Sequence, residues 1–144
     1  MRALVIDTNI VLDLFVFQDP TTAPLREVLE AEAGGWLATA PMREELARVL
    51  AYPQIALRLK AKDLPAQFSL DAFDRWARVV PPAAKAPYTC RDADDQKFID
   101  LAVAHGAALL SKDAAVLCMA RRLERVGVRV CRAWVAEPGA AVPA

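Results

Sequence analysis

The sequence is poor in the residues that build soft-metal sites and disulfide frameworks. It has one histidine, His105, and three cysteines, Cys90, Cys118 and Cys131, in 144 residues. A single histidine excludes any multi-histidine metal centre. Cysteines odd in number and without CxxC spacing imply neither a disulfide framework nor a zinc site, and they suit a reducing compartment. His105 stands just before Gly106, where a helix-terminal or surface role explains it. There is no net charge, with 18 basic against 18 acidic residues, so the global signature of a tight nucleic-acid binder is missing. Long apolar runs are absent too: the stretch from Ile10 to Phe17 is short and broken by Asp13, which fits neither a signal peptide nor a membrane span. A soluble, cytoplasmic protein without membrane contact is the expectation. No GxxxxGK[ST], GxGxxG or GxSxG motif occurs, which weakens nucleotide, dinucleotide and serine-hydrolase readings.

What is present is a repeated arrangement of apolar run followed by polar and acidic residues. Leu4-Val5-Ile6 reads as a buried parallel strand, and it stops at Asp7-Thr8-Asn9. A helix then carries Ile10, Leu14 and Phe17 at helical spacing, with Asp13 on its rim facing solvent. A second helix is expected from Thr22 to Ala33, before Gly34-Gly35, with Leu25, Val28 and Leu29 inward. A strand follows over 36–39, and Pro41 opens a third helix whose stripe is Met42, Leu46, Val49 and Leu50. At about 100° per residue Glu45 falls on the edge of that stripe and Glu44 points away. Two amphipathic helices between Gln54 and Ala77 follow, one with Ile55, Leu57 and Leu59, the other with Leu70, Phe73 and Trp76. They carry no evident chemistry and suit packing, a lid or a dimer surface.

After a short strand at Val79-Val80 and a proline-containing loop, Asp92-Ala93-Asp94-Asp95 opens a helix running to His105. Three acids there favour the helix dipole, and Asp92 can cap the amide of residue 95. Asp95, however, projects into the Phe98, Ile99, Ala102 stripe, where an unpaired carboxylate is costly to bury. Asp94 lies at the rim and Asp100 faces out. The strand over 107–111 again ends in polar residues, Ser111-Lys112-Asp113, ahead of one helix carrying Val116, Ala120 and Leu123. Residues 128–131 form a last strand, giving five. Residues 1–136 form one α/β domain, and 137–144 read as a disordered tail. Six basic residues between Lys112 and Arg132 face two acids; they either meet phosphates or solvate a terminal helix and an edge strand.

Asp7, Glu45, Asp95 and Asp113 each lie at a strand end or in the first turn of the helix that follows. Helical crossovers require parallel strands, so all four should converge at one sheet edge. Unpaired carboxylates there repel by about 4 kcal/mol per pair at 4 Å and an effective dielectric near 20. A cation must offset this, and without histidine or cysteine ligands the hard-cation rules favour one or two Mg²⁺ or Mn²⁺ ions. Such a site suits phosphodiester hydrolysis. Thr8, Asn9 and Ser111 are candidates to orient phosphate or water, and Lys112, Arg91 and Lys97 to attract the backbone.

These four blocks, with Asp7-Thr8-Asn9, Glu45-Leu46 through Pro53, Asp92-Ala93-Asp94-Asp95 through Gly106, and Leu110-Ser111-Lys112-Asp113, resemble in order and spacing the PIN-domain ribonucleases, in particular VapBC-type toxins. The resemblance implies a three-layer, Rossmann-like fold with a central parallel sheet flanked by helices, Mg²⁺- or Mn²⁺-dependent endoribonuclease activity, frequent homodimerisation, and inhibition by a small antitoxin. Where that subgroup often has a further acid after the fourth position, this chain has Ala114, Ala115 and Val116, which bears on the second ion; Ser111 replaces a more usual threonine. Other readings fit parts of the pattern: a PIN-like nuclease of RNA maturation or DNA outside a toxin system, a phosphoaspartate receiver or phosphatase with Asp7 as nucleophile, for which Asn9 is a poor second acid, and a non-catalytic interaction module.

Overall fold

A computed structural model of the protein describes residues 3–31 and 35–134. Five short strands, β1 (Leu4–Ile6), β2 (Trp36–Ala38), β3 (Ala77–Val79), β4 (Ala108–Leu110) and β5 (Val130–Cys131), form one sheet in the order β3-β2-β1-β4-β5. Every pairing is parallel, with Leu4 opposite both Trp36 and Ala108. β1 and β4 are buried along their whole length, as unbroken Leu-Val-Ile and Ala-Leu-Leu runs require when helices cover both faces. The chain winds outward from β1 to β2 and β3, then returns to the other side of β1 to place β4 and β5. The reversal of winding therefore falls between β1 and β4, where a crevice opens beyond the strand ends.

The helices are α1 (Thr8–Phe15), α2 (Ala23–Ala31), α3 (Ala40–Leu50), α4 (Pro53–Ala61), α5 (Ala66–Trp76), α6 (Gln96–His105), α7 (Ala114–Leu117) and α8 (Ala120–Glu124). The predicted three-layer α/β architecture is thus present. One aromatic group joins three elements. Trp36 of β2 meets Phe73 of α5 edge-on at 5.1 Å, while Phe15 of α1 stacks on Trp36 at 6.5 Å and on Trp76 at 5.6 Å. Such pairs add about 0.5–1.5 kcal/mol each beyond area burial. Gly106 ends α6 in the left-handed conformation, φ 60°, with His105 in the last turn.

Several local expectations are corrected. The single helix expected to carry Val116, Ala120 and Leu123 is two short ones, α7 and α8, broken at Cys118-Met119. Leu57 is exposed, because Ile55 and Leu59, four residues apart, already form the buried face of α4 and Leu57 lies opposite them. Asp92 caps the amide of Asp94 at 3.0 Å, not that of residue 95, whose amide goes to the Asp92 carbonyl. Asp100 is half-buried, accepting from the Ala86 amide and from Gln96. Asp13 is buried in an ion pair with Lys112 rather than solvated. The expected end of the second helix at Ala33 and the tail over 137–144 lie outside the described residues. Among the described residues no helix is long and apolar enough to cross a membrane.

Candidate metal centre at the β1–β4 crevice

Asp7 follows β1 and occupies the N-cap position of α1, yet its carboxylate makes no capping hydrogen bond. Its Oδ2 accepts instead from the Ser111 hydroxyl at 2.6 Å, across the crevice at the end of β4. Ser111 is fully buried, and its Oγ also accepts the backbone N–H of Asp113 at 3.1 Å. One hydroxyl therefore ties both strand ends together and fixes the direction in which Asp7 points. Asp113 does cap its helix, Oδ1 accepting from the Ala115 amide at 2.9 Å. Its carboxylate is thereby held at the start of α7.

Asp95 reaches the same place from the third direction, at the start of α6. It is 6% exposed, makes no capping bond, and its Oδ2 is buried without a hydrogen-bond partner. Carboxylate oxygens of Asp7, Asp95 and Asp113 all lie within 4.8 Å of one another. Burial pushes Asp95 up to about 8, reinforced by the neighbouring Asp113 carboxyl, which favours its protonated form, and by the charges of Asp7, Asp113 and Asp92. Burial also raises Asp7; the Ser111 hydroxyl and the backbone of Asn9 oppose that rise, and the charges of Asp113 and Glu45 add to it.

Glu45 stands outside this trio. It follows β2, one strand removed from the crevice, and its Oε1 pairs with Lys97 Nζ at 2.7 Å. It is still near enough to Asp7 to disfavour a second negative charge there. Lys97 in addition donates to the Asp94 carbonyl and lies 4.9 Å from the Phe98 ring. Of the other sequence candidates, Thr8 is buried in the first turn of α1, whereas Asn9 and Arg91 are exposed. Lys112 points away from the trio toward Asp13, since Ser111 and Asp113 on either side of it face the crevice.

A clamp escaped the sequence reading. Gln96 accepts the Cys90 amide at 2.6 Å and donates to the Tyr88 carbonyl at 3.1 Å and to Asp100 at 2.8 Å. Asp100 in turn accepts the Ala86 amide at 2.8 Å, so both side chains hold the loop that leads to Asp95. Their spacing of four on one helix was the available signal. A buried carboxylate oxygen without a donor, facing two further carboxylates, is the environment a hard, oxygen-preferring divalent cation satisfies, and the donor set fits one.

A family model described as PIN domain matches residues 3–115 of the chain. No curated protein matches it.

Proposed function

The chain belongs to the PIN-domain family, whose members are generally metal-dependent nucleases, and on that premise we propose that it is an Mg²⁺- or Mn²⁺-dependent endoribonuclease, the toxin of a toxin–antitoxin pair. The observation that carries this reading is the Asp7, Asp95, Asp113 convergence with an orphaned oxygen on Asp95. These three residues would hold the ion. When bound, it supplies an acidified water, neutralises the phosphate and stabilises the leaving oxygen.

The remaining residues set the stage for that chemistry. Ser111 keeps the Asp7 carboxylate turned into the crevice, and the Asp113 cap keeps its own carboxylate at the rim of α7. Lys97 and Glu45 form a neutral pair beside the acids, outside the three that would hold the ion, and an incoming phosphate would compete with Glu45 for the Lys97 cation. Thr8, buried, and Asn9, exposed, follow Asp7 in the first turn of α1, where they would orient a phosphate or water, and exposed Arg91 would offer a phosphate contact beside Asp92. The toxin assignment draws on the four sequence blocks shared with that subgroup, and it carries with it a small antitoxin partner and a homodimer. Cytoplasmic RNA is the substrate this implies.

Purified protein should cut single-stranded or structured RNA with Mg²⁺ or Mn²⁺ and stop when EDTA is added. Cleavage that persists in EDTA overturns the metal role, and a preference for DNA over RNA overturns the substrate. Growth arrest on expression, relieved by a small protein encoded beside it, tests the toxin role separately.

A further inference from the structure

Two thiols share one backbone carbonyl, that of Ala115, two residues beyond Asp113. Cys90, buried at the end of the loop that Gln96 clamps, donates its S–H to the Ala115 carbonyl at 3.4 Å. Cys118, exposed just past α7, donates to the same carbonyl at 3.3 Å. The sulfurs are therefore at most about 6.7 Å apart, the two distances laid end to end. The Cys118 bond is an ordinary helical back-bond to the residue three before it. The Cys90 bond is not local: it spans 25 residues and packs the loop against α7. Cys131, on β5, makes no thiol hydrogen bond among the described residues.

We propose that Cys90 and Cys118 form a redox pair that closes into an intramolecular disulfide when the protein meets a hydroperoxide. The exposed Cys118 thiolate attacks the terminal peroxide oxygen: an S–O bond forms, the O–O bond breaks, and the sulfur gives up two electrons to the departing alkoxide or hydroxide, which takes up a proton. Cys90 sulfur then attacks Cys118. The S–S bond forms as the S–O bond breaks, and hydroxide leaves with the Cys90 proton as water. A side-chain rotation at exposed Cys118, with a small approach of the loop, brings the sulfurs to bonding distance. The ring so closed, residues 90 to 118, contains both Asp95 and Asp113, so the bridge fixes the two segments that carry them.

The test is peroxide titration of the reduced, full-length protein, followed by alkylation, intact mass and peptide mapping. The expected product has lost two hydrogens, gained no oxygen, kept one alkylatable thiol at Cys131, links the Cys90 and Cys118 peptides, and reverts with dithiothreitol. Cys131→Ser should behave as the parent. Cys118→Ser, an exposed change that the fold tolerates, should leave Cys90 reduced at the same dose, while Cys90→Ala should let Cys118 run on to the sulfinic acid. A parent protein that accumulates Cys118 sulfinic acid, links Cys131 instead, or forms disulfide-bonded dimers overturns the proposal. None of these readouts depends on nuclease activity, so the disulfide and the proposed function fail or stand independently.

Discussion

Asp7 and Asp13 are both buried, lie six residues apart around the same helix, and are both answered by the three-residue segment Ser111-Lys112-Asp113. The answers are opposite. Lys112 meets Asp13 with a cation, closing a neutral pair. Ser111 meets Asp7 with a hydroxyl, and Asp113 adds a further negative charge beside it. Because neighbouring residues in an extended segment point to opposite sides, one strand end builds a finished ion pair on one side and an electrostatically unbalanced cluster on the other. A buried acid with its own counter-ion is a structural solution. A buried acid whose nearest charged neighbours are other acids stays ionised only with a cation supplied from outside, and without one it holds a proton.

The largest effect should come from removing charge on the unbalanced side. Asp95→Asn and Asp7→Asn are each expected to lower RNA cleavage by more than about a thousandfold, roughly 4 kcal/mol of transition-state stabilisation. The same Asp95→Asn change should raise the thermal midpoint of the metal-free protein at pH 8, because it deletes a repelling charge and gives the orphaned oxygen's neighbours a donor. A midpoint that falls instead would make Asp95 a structural residue like Asp13.

On the balanced side the order of effects should reverse. Asp13→Ala is expected to cost about 1–3 kcal/mol of stability, toward the lower end because Lys112 is half exposed and can turn to water. Adding Lys112→Met to Asp13→Ala should recover part of that loss, which denaturant unfolding of the double-mutant cycle would reveal. The folded Asp13→Ala protein should keep its metal affinity, measured by Mn²⁺ titration. A large loss of affinity there would erase the distinction between the two acids.

This contrast also marks the limit of what the residues disclose on their own. Apolar runs, two of them closed by acids, foretell five strands, although the third lies at Ala77–Val79 rather than at Val79-Val80, and helical projection separates Glu45 from Glu44 and turns Asp95 inward, because these follow from local periodicity. Strand order is not local. Only the placement of β4 beside β1, with β2 on the other side, decides that Asp7, Asp95 and Asp113 share a crevice while Glu45 stands one strand away, paired with Lys97. Asp13 sits on a helix rim by periodicity, and its partner is about a hundred residues away in sequence, so no window along the chain could have shown it buried. The break between α7 and α8 is likewise set by packing against β5, where helical spacing alone continues through Cys118 and Met119.

The most direct reading of the imbalance is the dependence of stability on pH. Asp95 rises from 3.8 to about 8 on folding, so between those values the folded protein holds a proton that the unfolded chain has released. Stability is linked to that difference: the contribution from Asp95 is fully present below about pH 4, declines as pH rises, and is gone above about pH 8. The metal-free protein should therefore melt at progressively lower temperature from pH 5 to pH 8, and Asp95→Asn should flatten the slope. Saturating Mg²⁺ should flatten it as well, since a bound cation favours the ionised carboxylates and replaces the proton as their counter-charge. A slope that survives both Asp95→Asn and Mg²⁺ would locate the imbalance elsewhere in the molecule.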